Sequence, residues 1–537
     1  MRCAVIGAGV LGASVAARLA AAGQQVTLLD QDQPGRATSR WSFAWLNSND
    51  KKPRPYHDLN QAGLRAWAEL APDLDGAAWY RPVGHVELAA AGQARAELAA
   101  RVQRLASWGY QARLIDASEA LELEPSLAGV SAETPAAWFP DEGYLLTEPL
   151  IERLVARAVS HGADLLTGEQ GRVTGLEAEL SARPVVRTAA GVVLEAHYVI
   201  CCAGRWTPGL AALAGAVGQV PLLPWETPGA TAPGLVVQIG PVSPEGPTRL
   251  VHAPGISLRP HPGGLLHLEA PDAAVDLHTP EAELRRWAAE LLSRARRAVR
   301  GLDDARVVAY QVCVRPMPAD GQSIVGRLPG APGVYVAVTH SGVTLAAHLA
   351  DLITVDLTSG APVAELAPYR PDRFPATPAL SPAAARAEEG DSLQRRRRFP
   401  EAEASSREAI RLDPHLPSAH DILGRILIRL HRYSEAEAAF RESIRLEPDF
   451  PASYERLGVA LTETGRFAEA EAALREAIRL DPNLADAHMN LSAVLFRTRQ
   501  FRKGWAASSE AIRLDPDRVS GSALRRQFVD LFKRRKA

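Results

Sequence analysis

Cysteine is scarce, with four residues in 537: Cys3, Cys201, Cys202 and Cys313. Their number and spacing exclude a disulfide framework and a four-thiolate zinc site. The adjacent pair Cys201 and Cys202 suits a buried strand better than a bridge, so a reducing compartment is expected. Charge of one sign is also missing. Lys and Arg total 60 against 62 Asp and Glu, a formal net charge of −2. No global basic field is available to hold nucleic acid or an anionic membrane. No run reaches the roughly eighteen uninterrupted apolar residues that a spanning helix needs. A composition of 47% hydrophobic and 23% charged residues argues against wholesale disorder and a fibrous fold. The length corresponds to about three or four domains. Met1, Arg2 and CAVIGAGVLGASVA imitate a signal peptide. Regularly spaced glycines, Arg18 inside the apolar run and the strand-like QQVTLLD that follows point instead to folded structure. A soluble, cytoplasmic protein is expected.

What is present is clearest at the far end. AIRLDP closes at Pro414, SIRLEP at Pro448, AIRLDP at Pro482 and AIRLDP again at Pro516, always 34 residues apart. An aromatic precedes each string in register: Phe399, Tyr433, Phe467 and Phe501. A 34-residue helix–turn–helix period is the mark of tetratricopeptide repeats, which residues 386–516 resemble. Three copies are good and the first, with Glu389 at an expected apolar position, is degenerate, as capping repeats are. The tail 517–537 (ALRRQFVDLF and its flanks) reads as a capping helix. Residues 366–385, rich in Pro and Ala, read as an extended linker. The run Arg395 to Arg398 falls in the first repeat's inter-helix turn and reads as solvated rather than as a nucleic-acid patch.

Residues 1–365 read as α/β with an antiparallel insert. RCAVIG is a buried strand, GVLGASVAARLAAAG a helix and QQVTLLD a second strand. Between them Gly7, Ala8, Gly9, Val10, Leu11 and Gly12 form GAGVLG, and Asp30 follows eighteen residues after Gly12. One glycine permits the tight turn, the next lets backbone approach a pyrophosphate, and the third lets helix lie close on strand. The helix N-terminus offers N–H donors and partial positive charge to phosphates. Asp30 can accept from both hydroxyls of an adenosine ribose and would repel a 2′-phosphate. This constellation specifies an ADP-containing dinucleotide, NAD or FAD. No second GxGxxG occurs in the chain, so a flavin here would draw its electrons directly from an organic substrate.

Four further segments resemble the FAD-dependent D-amino acid oxidase superfamily, as in glycine oxidase and sarcosine oxidase. PGRATSRWSFAW is similar to the family stretch beside the flavin pyrophosphate and ribityl chain, which places Arg36, Thr38, Ser39 and Ser42 there. ARAVSHGADLLTGEQGRVTGLE resembles the helix and strand that set a valine backbone, here Val173, against adenine. YVICCAGRW matches the strand ending in Ala-Gly, here Ala203 and Gly204, followed by Trp206. VRPMPADGQSIVG, with Asp320 and Gly321, and then GVYVAVTHSGVTLA, with Ser341, Gly342, Val343 and Thr344, resemble the carboxy-terminal return to the flavin. The resemblance implies a discontinuous Rossmann-type FAD part (1–55, 145–215, 310–365) and an antiparallel-sheet substrate part (56–144, 216–309). The implied activity is FAD-dependent oxidation of the C–N bond of an amine or amino acid, by hydride transfer to flavin and hydrolysis of the resulting imine. No Ser–His–Asp triad or paired carboxylates are needed, and none is evident.

Arg315 stands where glycine oxidase-like members place the arginine that grips the substrate carboxylate, a planar match that never deprotonates; a structural tie to a neighbouring acid is the other reading. Cys313 lies seven residues before Asp320, the offset at which sarcosine oxidases attach flavin covalently, although Arg315-Pro316 departs from their pattern. A small buried hydrophobe is the alternative. The His340 imidazole is a candidate base, or its backbone simply faces the flavin pyrimidine. Trp41, Trp45 and Tyr56 either line the substrate space or fill core. The repeats imply an unknown protein or peptide partner. With Asp421, Glu455 and Met489 at the inner positions, a carboxylate clamp is not expected. Two other readings remain: a scaffold with a vestigial flavin domain, and an NAD-dependent dehydrogenase.

Overall fold

The computed structural model describes residues 1–178, 183–225, 230, 232–374, 382–395 and 397–514. It divides into two compact units, Met1–Ala379 and Leu380–Ala537.

The first unit is built on a strand–helix–strand start: β1 (Arg2–Ile6), α1 (Val10–Ala21) and β2 (Gln25–Asp30). β1 is buried from Cys3 to Ile6 because both faces of its sheet are covered. Cys3 and Val5 enter one hydrophobic cluster with Val15, Leu19, Leu154 and Ile353, whereas Ala4 and Ile6 enter another with Leu176, Val186 and Leu210. The six-stranded sheet runs Ile324–Leu328, Ala331–Val338, Tyr198–Cys201, β1, β2, Asp164–Thr167. Every pairing in it is parallel except that of Ile324–Leu328 with Ala331–Val338. Helix α1 packs against helices Thr147–Ser160 and Gly342–Thr358. Helix Arg54–Leu70 also lies on Gly342–Thr358, where Trp67 donates Nε1–H to the Val343 carbonyl at 2.7 Å.

An eight-stranded sheet forms the second layer, ordered Arg306–Val314, Pro233–Gly240, Leu265–Glu269, Ile256–His261, Leu250–Ala253, His85–Leu88, Ala136–Phe139, Arg113–Ile115. It is antiparallel except where Leu250–Ala253 meets His85–Leu88 in parallel. That join brings together two stretches of chain far apart in sequence, so no hairpin dictates its direction. Helix Glu281–Ala298 covers one face, burying Leu291 and Ala295 with Val237 and Leu268. The strand pattern of the other face is polar, and it roofs the site. The segment after the last helix is clamped by Asp356, whose carboxylate takes Arg370 Nη2 at 2.6 Å and Nη1 at 2.7 Å and the Tyr335 hydroxyl at 2.9 Å.

The second unit is helical. Helices Phe399–Leu412, Tyr433–Leu446, Phe467–Leu480 and Phe501–Leu514 start on the four aromatics of the repeat, and Pro417–Arg429, Pro451–Glu463 and Ala485–Arg497 alternate with them. Small residues set the packing distance. A Cβ on Gly424 would reach within 2.6 Å of the Phe440 ring, and one on Gly458 within 2.5 Å of Leu474. The turn that precedes each aromatic-led helix holds one residue with positive φ, at Arg397, His431, Gly465 and Arg499, again 34 apart. Arg395 ends helix Pro382–Arg395, and Arg398 caps the next helix while pairing with Glu401. Of the arginine run, Arg396 lies outside the described residues, as do 375–381 of the expected linker, 515–516 of the repeats and the expected capping helix 517–537.

Candidate active site

Between the six-stranded and the eight-stranded sheet of the first unit lies a cavity of about 840 Å³, within the roughly 300–1,000 Å³ of small-molecule and cofactor sites. One end is the turn from β1 into α1. Gly7 has φ +102° and sits under the Cys202 carbonyl, where a Cβ would come within 2.7 Å of the oxygen. A Cβ on Gly12 would collide with the Gly7 carbonyl, which is how helix and strand lie so close. Gly9, by contrast, has only the Ser39 hydroxyl near its Cβ position and opens on the cavity. Gly9 at the N-cap of α1 has no side chain to offer and no acid lies in the first turn; the Ser39 hydroxyl accepts Val10 N–H at 3.1 Å, a neutral partner that leaves the helix's partial positive charge to whatever fills the space. Asp30 is fixed by its own backbone contacts, accepting Ala8 N–H at 2.7 Å and Asp32 N–H at 2.9 Å. Burial raises its carboxyl above the usual range, and these two bonds oppose the rise. The geometry fits a bound dinucleotide: an open glycine at a helix N-terminus without an acid for the pyrophosphate, and a rigid acid at the end of β2 for the ribose.

Gly7, Gly9, Val10, Leu11, Asp30, Thr38, Ser39, Ser42, Val173, Ala203, Gly204 and Trp206 line this cavity, and so do Cys313, Arg315, His340, Ser341, Gly342, Val343 and Thr344. Thr38 ties the arch after β2 to the far sheet, donating to the Val314 carbonyl at 2.9 Å. The loop before helix Gly342–Thr358 is held by Thr339, which accepts Ser341 N–H at 3.1 Å and the Ser323 hydroxyl at 2.8 Å. This helix too has no side-chain cap and no acid in its first turn. Five of the residues singled out from sequence stand elsewhere. Ala8 and Gly12 are part of the turn's packing, Arg36 is exposed, and Asp320 turns to Arg373 at 2.8 Å beside Gly321. Of the aromatics, Trp41 and Trp45 reach the cavity. Tyr56 is buried behind it, donating to the Ser341 hydroxyl at 3.2 Å.

The antiparallel sheet over the cavity was expected, but not the side chains that face the cavity from it. Glu87, His252, Ser257, Glu269 and Val236 are successive cross-strand neighbours on five strands, and all five line the cavity. Only strand register brings them together, so no spacing motif announces them. Glu87 is paired with Arg101, and Glu269 stands 4.0 Å from Arg315. Arg315 also donates from Nε to the Ala232 carbonyl at 3.2 Å. Burial raises the Glu269 carboxyl, against the pull of Arg315. His340 is pushed down to about 3 by burial and by the charges of Lys51 and Arg315, so its ring is neutral and a poor proton acceptor. Burial pushes the Cys313 thiol up to about 12.

The model of the family described as FAD dependent oxidoreductase matches residues 2–355, and a tetratricopeptide repeat model matches 423–485 and 456–518. Glycine oxidase of Geobacillus kaustophilus is 26% identical over 379 residues, covering 68% of this chain and 95% of that protein. The bifunctional tRNA 5-methylaminomethyl-2-thiouridine biosynthesis protein of an Azoarcus species is 34% identical over 262 residues, 45% of this chain and 38% of its own. The crystal structure of L-proline dehydrogenase from P. horikoshii superposes with a TM-score of 0.60 at 19% identity, over 69% of this chain and 97% of that one.

Proposed function

The chain belongs to the FAD-dependent oxidoreductase family, and from that premise we propose that it oxidises the C–N bond of an amine or amino acid carrying a carboxylate. The observation that carries this reading is the placing of Arg315 on the wall of the cavity that the glycine turn opens onto. A guanidinium there offers two parallel N–H donors to a carboxylate. The names of the relatives agree, since glycine and L-proline are both amines bearing a carboxylate. FAD, when bound, supplies the hydride acceptor. The protein's share is to hold Gly7, Gly9 and Asp30 against the dinucleotide and to orient the substrate with Arg315 beneath the roof. It must also leave the amine without its proton, because a protonated nitrogen cannot release electron density to the neighbouring carbon.

The repeats complete the proposal by docking a protein partner. Their inner positions hold Asp421, bound by Arg456 at 2.6 Å, and Glu455, bound by Asn490 at 2.5 Å. Such acids do not suit a peptide carboxylate. The test is the visible spectrum of the purified protein before and after anaerobic addition of pooled amino acids and amines. Flavin bands that bleach support the reading. A protein that stays colourless after incubation with FAD, or flavin that no amine bleaches, refutes it.

A further inference from the structure

Behind the cavity wall lies a buried polar chain. Glu142 is fully buried and accepts three hydrogen bonds: from Trp45 Nε1 at 2.8 Å, Tyr110 Oη at 2.7 Å and His85 Nδ1 at 2.9 Å. Burial and the neighbouring Glu142 charge hold Tyr110 well above its ordinary range, so its hydroxyl is a donor. His85, itself fully buried, meets His252 with its other nitrogen, Nε2 to Nδ1 at 2.7 Å. His252 lines the cavity. With Nδ1–H of His85 given to the carboxylate, its Nε2 is an acceptor and takes the Nδ1–H of His252. The remaining nitrogen of His252, Nε2, then carries a lone pair.

We propose that Glu142, His85 and His252 form a proton relay that removes the proton from the substrate's ammonium group. His252 is the catalytic base, and His85 and Glu142 are positioning residues. An N–H bond of the ammonium breaks as Nε2–H of His252 forms. The Nδ1–H of His252 passes to Nε2 of His85, leaving His252 neutral and His85 an imidazolium against the Glu142 carboxylate. The amine keeps the electron pair and is ready for oxidation. One proton enters and no charge is lost. Two positive rings would repel, so the pair takes up one proton beyond the two N–H protons it holds at rest. Taken alone, His252 is held well below its ordinary range, first by burial and then by the His85 and Arg101 charges, so it keeps no proton unless it passes one on to His85. The charged groups around His252 are His85 and its register partner Glu87 on the neighbouring strand, Arg101 pairing with Glu87, and Glu142 behind His85. Trp45 packs over the His252 ring, with centroids 4.4 Å apart.

The relay rests on the proposed amine substrate, so the test has one arm that needs no substrate. Full-length, flavin-loaded protein with ¹⁵N-labelled histidine is titrated by NMR from about pH 5 to about 9, as wild type and as H252Q. The relay requires that the two rings share one added proton and that H252Q shifts the titration of His85. Rings that titrate independently overturn it. In the second arm, kcat/KM is followed against pH. H252Q should lose about 10²–10³-fold near pH 7 and recover as pH approaches the amine's own pKa, where the substrate arrives neutral. Loss by one factor at every pH, or no loss, overturns the base role. E142Q should reproduce the H252Q profile if it folds; H252Q alone decides the matter if it does not. Failure of every amine to turn over refutes the proposed function and with it the base role, while the NMR arm still decides whether the relay exists.

Discussion

Replacing Arg315 by Ala separates a substrate-binding arginine from one that merely balances Glu269. At 4.0 Å two unit charges attract by about 4 kcal/mol at an effective dielectric near 20. The Arg315 and Glu269 side chains are 37% and 29% exposed, so solvent screening reduces their pairing to about 1 kcal/mol. The Glu269 pairing is thus weak enough for a bound carboxylate to compete with it. Truncating one partner of a charge pair between protein and ligand costs about 2–5 kcal/mol. The lower end applies here, because the guanidinium is shared with Glu269 and partly open. R315A should lower kcat/KM for a carboxylate-bearing amine by about 2 kcal/mol, or about thirty-fold. E269Q removes the competitor and should raise the same kcat/KM by about 1 kcal/mol, roughly five-fold. The matching amine without its carboxylate should be insensitive to R315A. The assay is anaerobic flavin reduction by stopped flow at fixed pH, with thermal unfolding of each variant to exclude misfolding. Unchanged kcat/KM in R315A would take Arg315 out of the site. Equal losses in R315A and E269Q would refute the competition argument and make the pair a single unit holding both ends of a zwitterion.

The remaining predictions concern flavin attachment and the repeats. With the Cys313 thiol pushed up to about 12 by burial, about one molecule in 10⁵ carries the reactive thiolate at neutral pH. FAD should be non-covalent, and acid precipitation should leave the yellow colour in the supernatant; a coloured pellet that C313A abolishes would refute this. Glu455 in the repeats is pushed from 4.5 up to about 7, chiefly by burial and further by Asp486 and Asp421, against Arg456 and Asn490. An acid whose folded pKa is raised is held more readily in its protonated form by the folded chain. Its contribution is most favourable below about pH 4.5 and declines as pH climbs towards about 7. Calorimetry of the full chain should show the repeat transition falling over that window in wild type and not in E455Q. A parallel fall in both would show that Glu455 is not responsible.

What could be read from the sequence is what local chain geometry writes. The repeats were legible because each copy repeats the same contacts at a fixed interval, down to the aromatic that starts the second helix. The glycine turn was legible because Gly7, Gly12 and Asp30 are joined by one strand, one helix and one strand. Arg315 and the loop from His340 to Thr344 came with the resemblance of a single continuous segment. The roof is different in kind. His85 and His252 are 167 residues apart, and only the parallel join of two distant strands makes them touch. Ser257, Arg259 and His261 alternate with Ile256 and Leu258, a pattern that reads as a strand with one face in water. In the fold that face is enclosed: Arg259 is 2% exposed, with its guanidinium over the Tyr144 ring at 5.0 Å. Alternation tells which side of a strand is polar, not whether the polar side meets solvent or a cavity. The distinction is settled by the second sheet closing over it, and that closure is non-local. A polar strand face in a chain that already carries a dinucleotide turn is therefore best read as a wall of the site, and the residues on its central rung as those that meet the substrate.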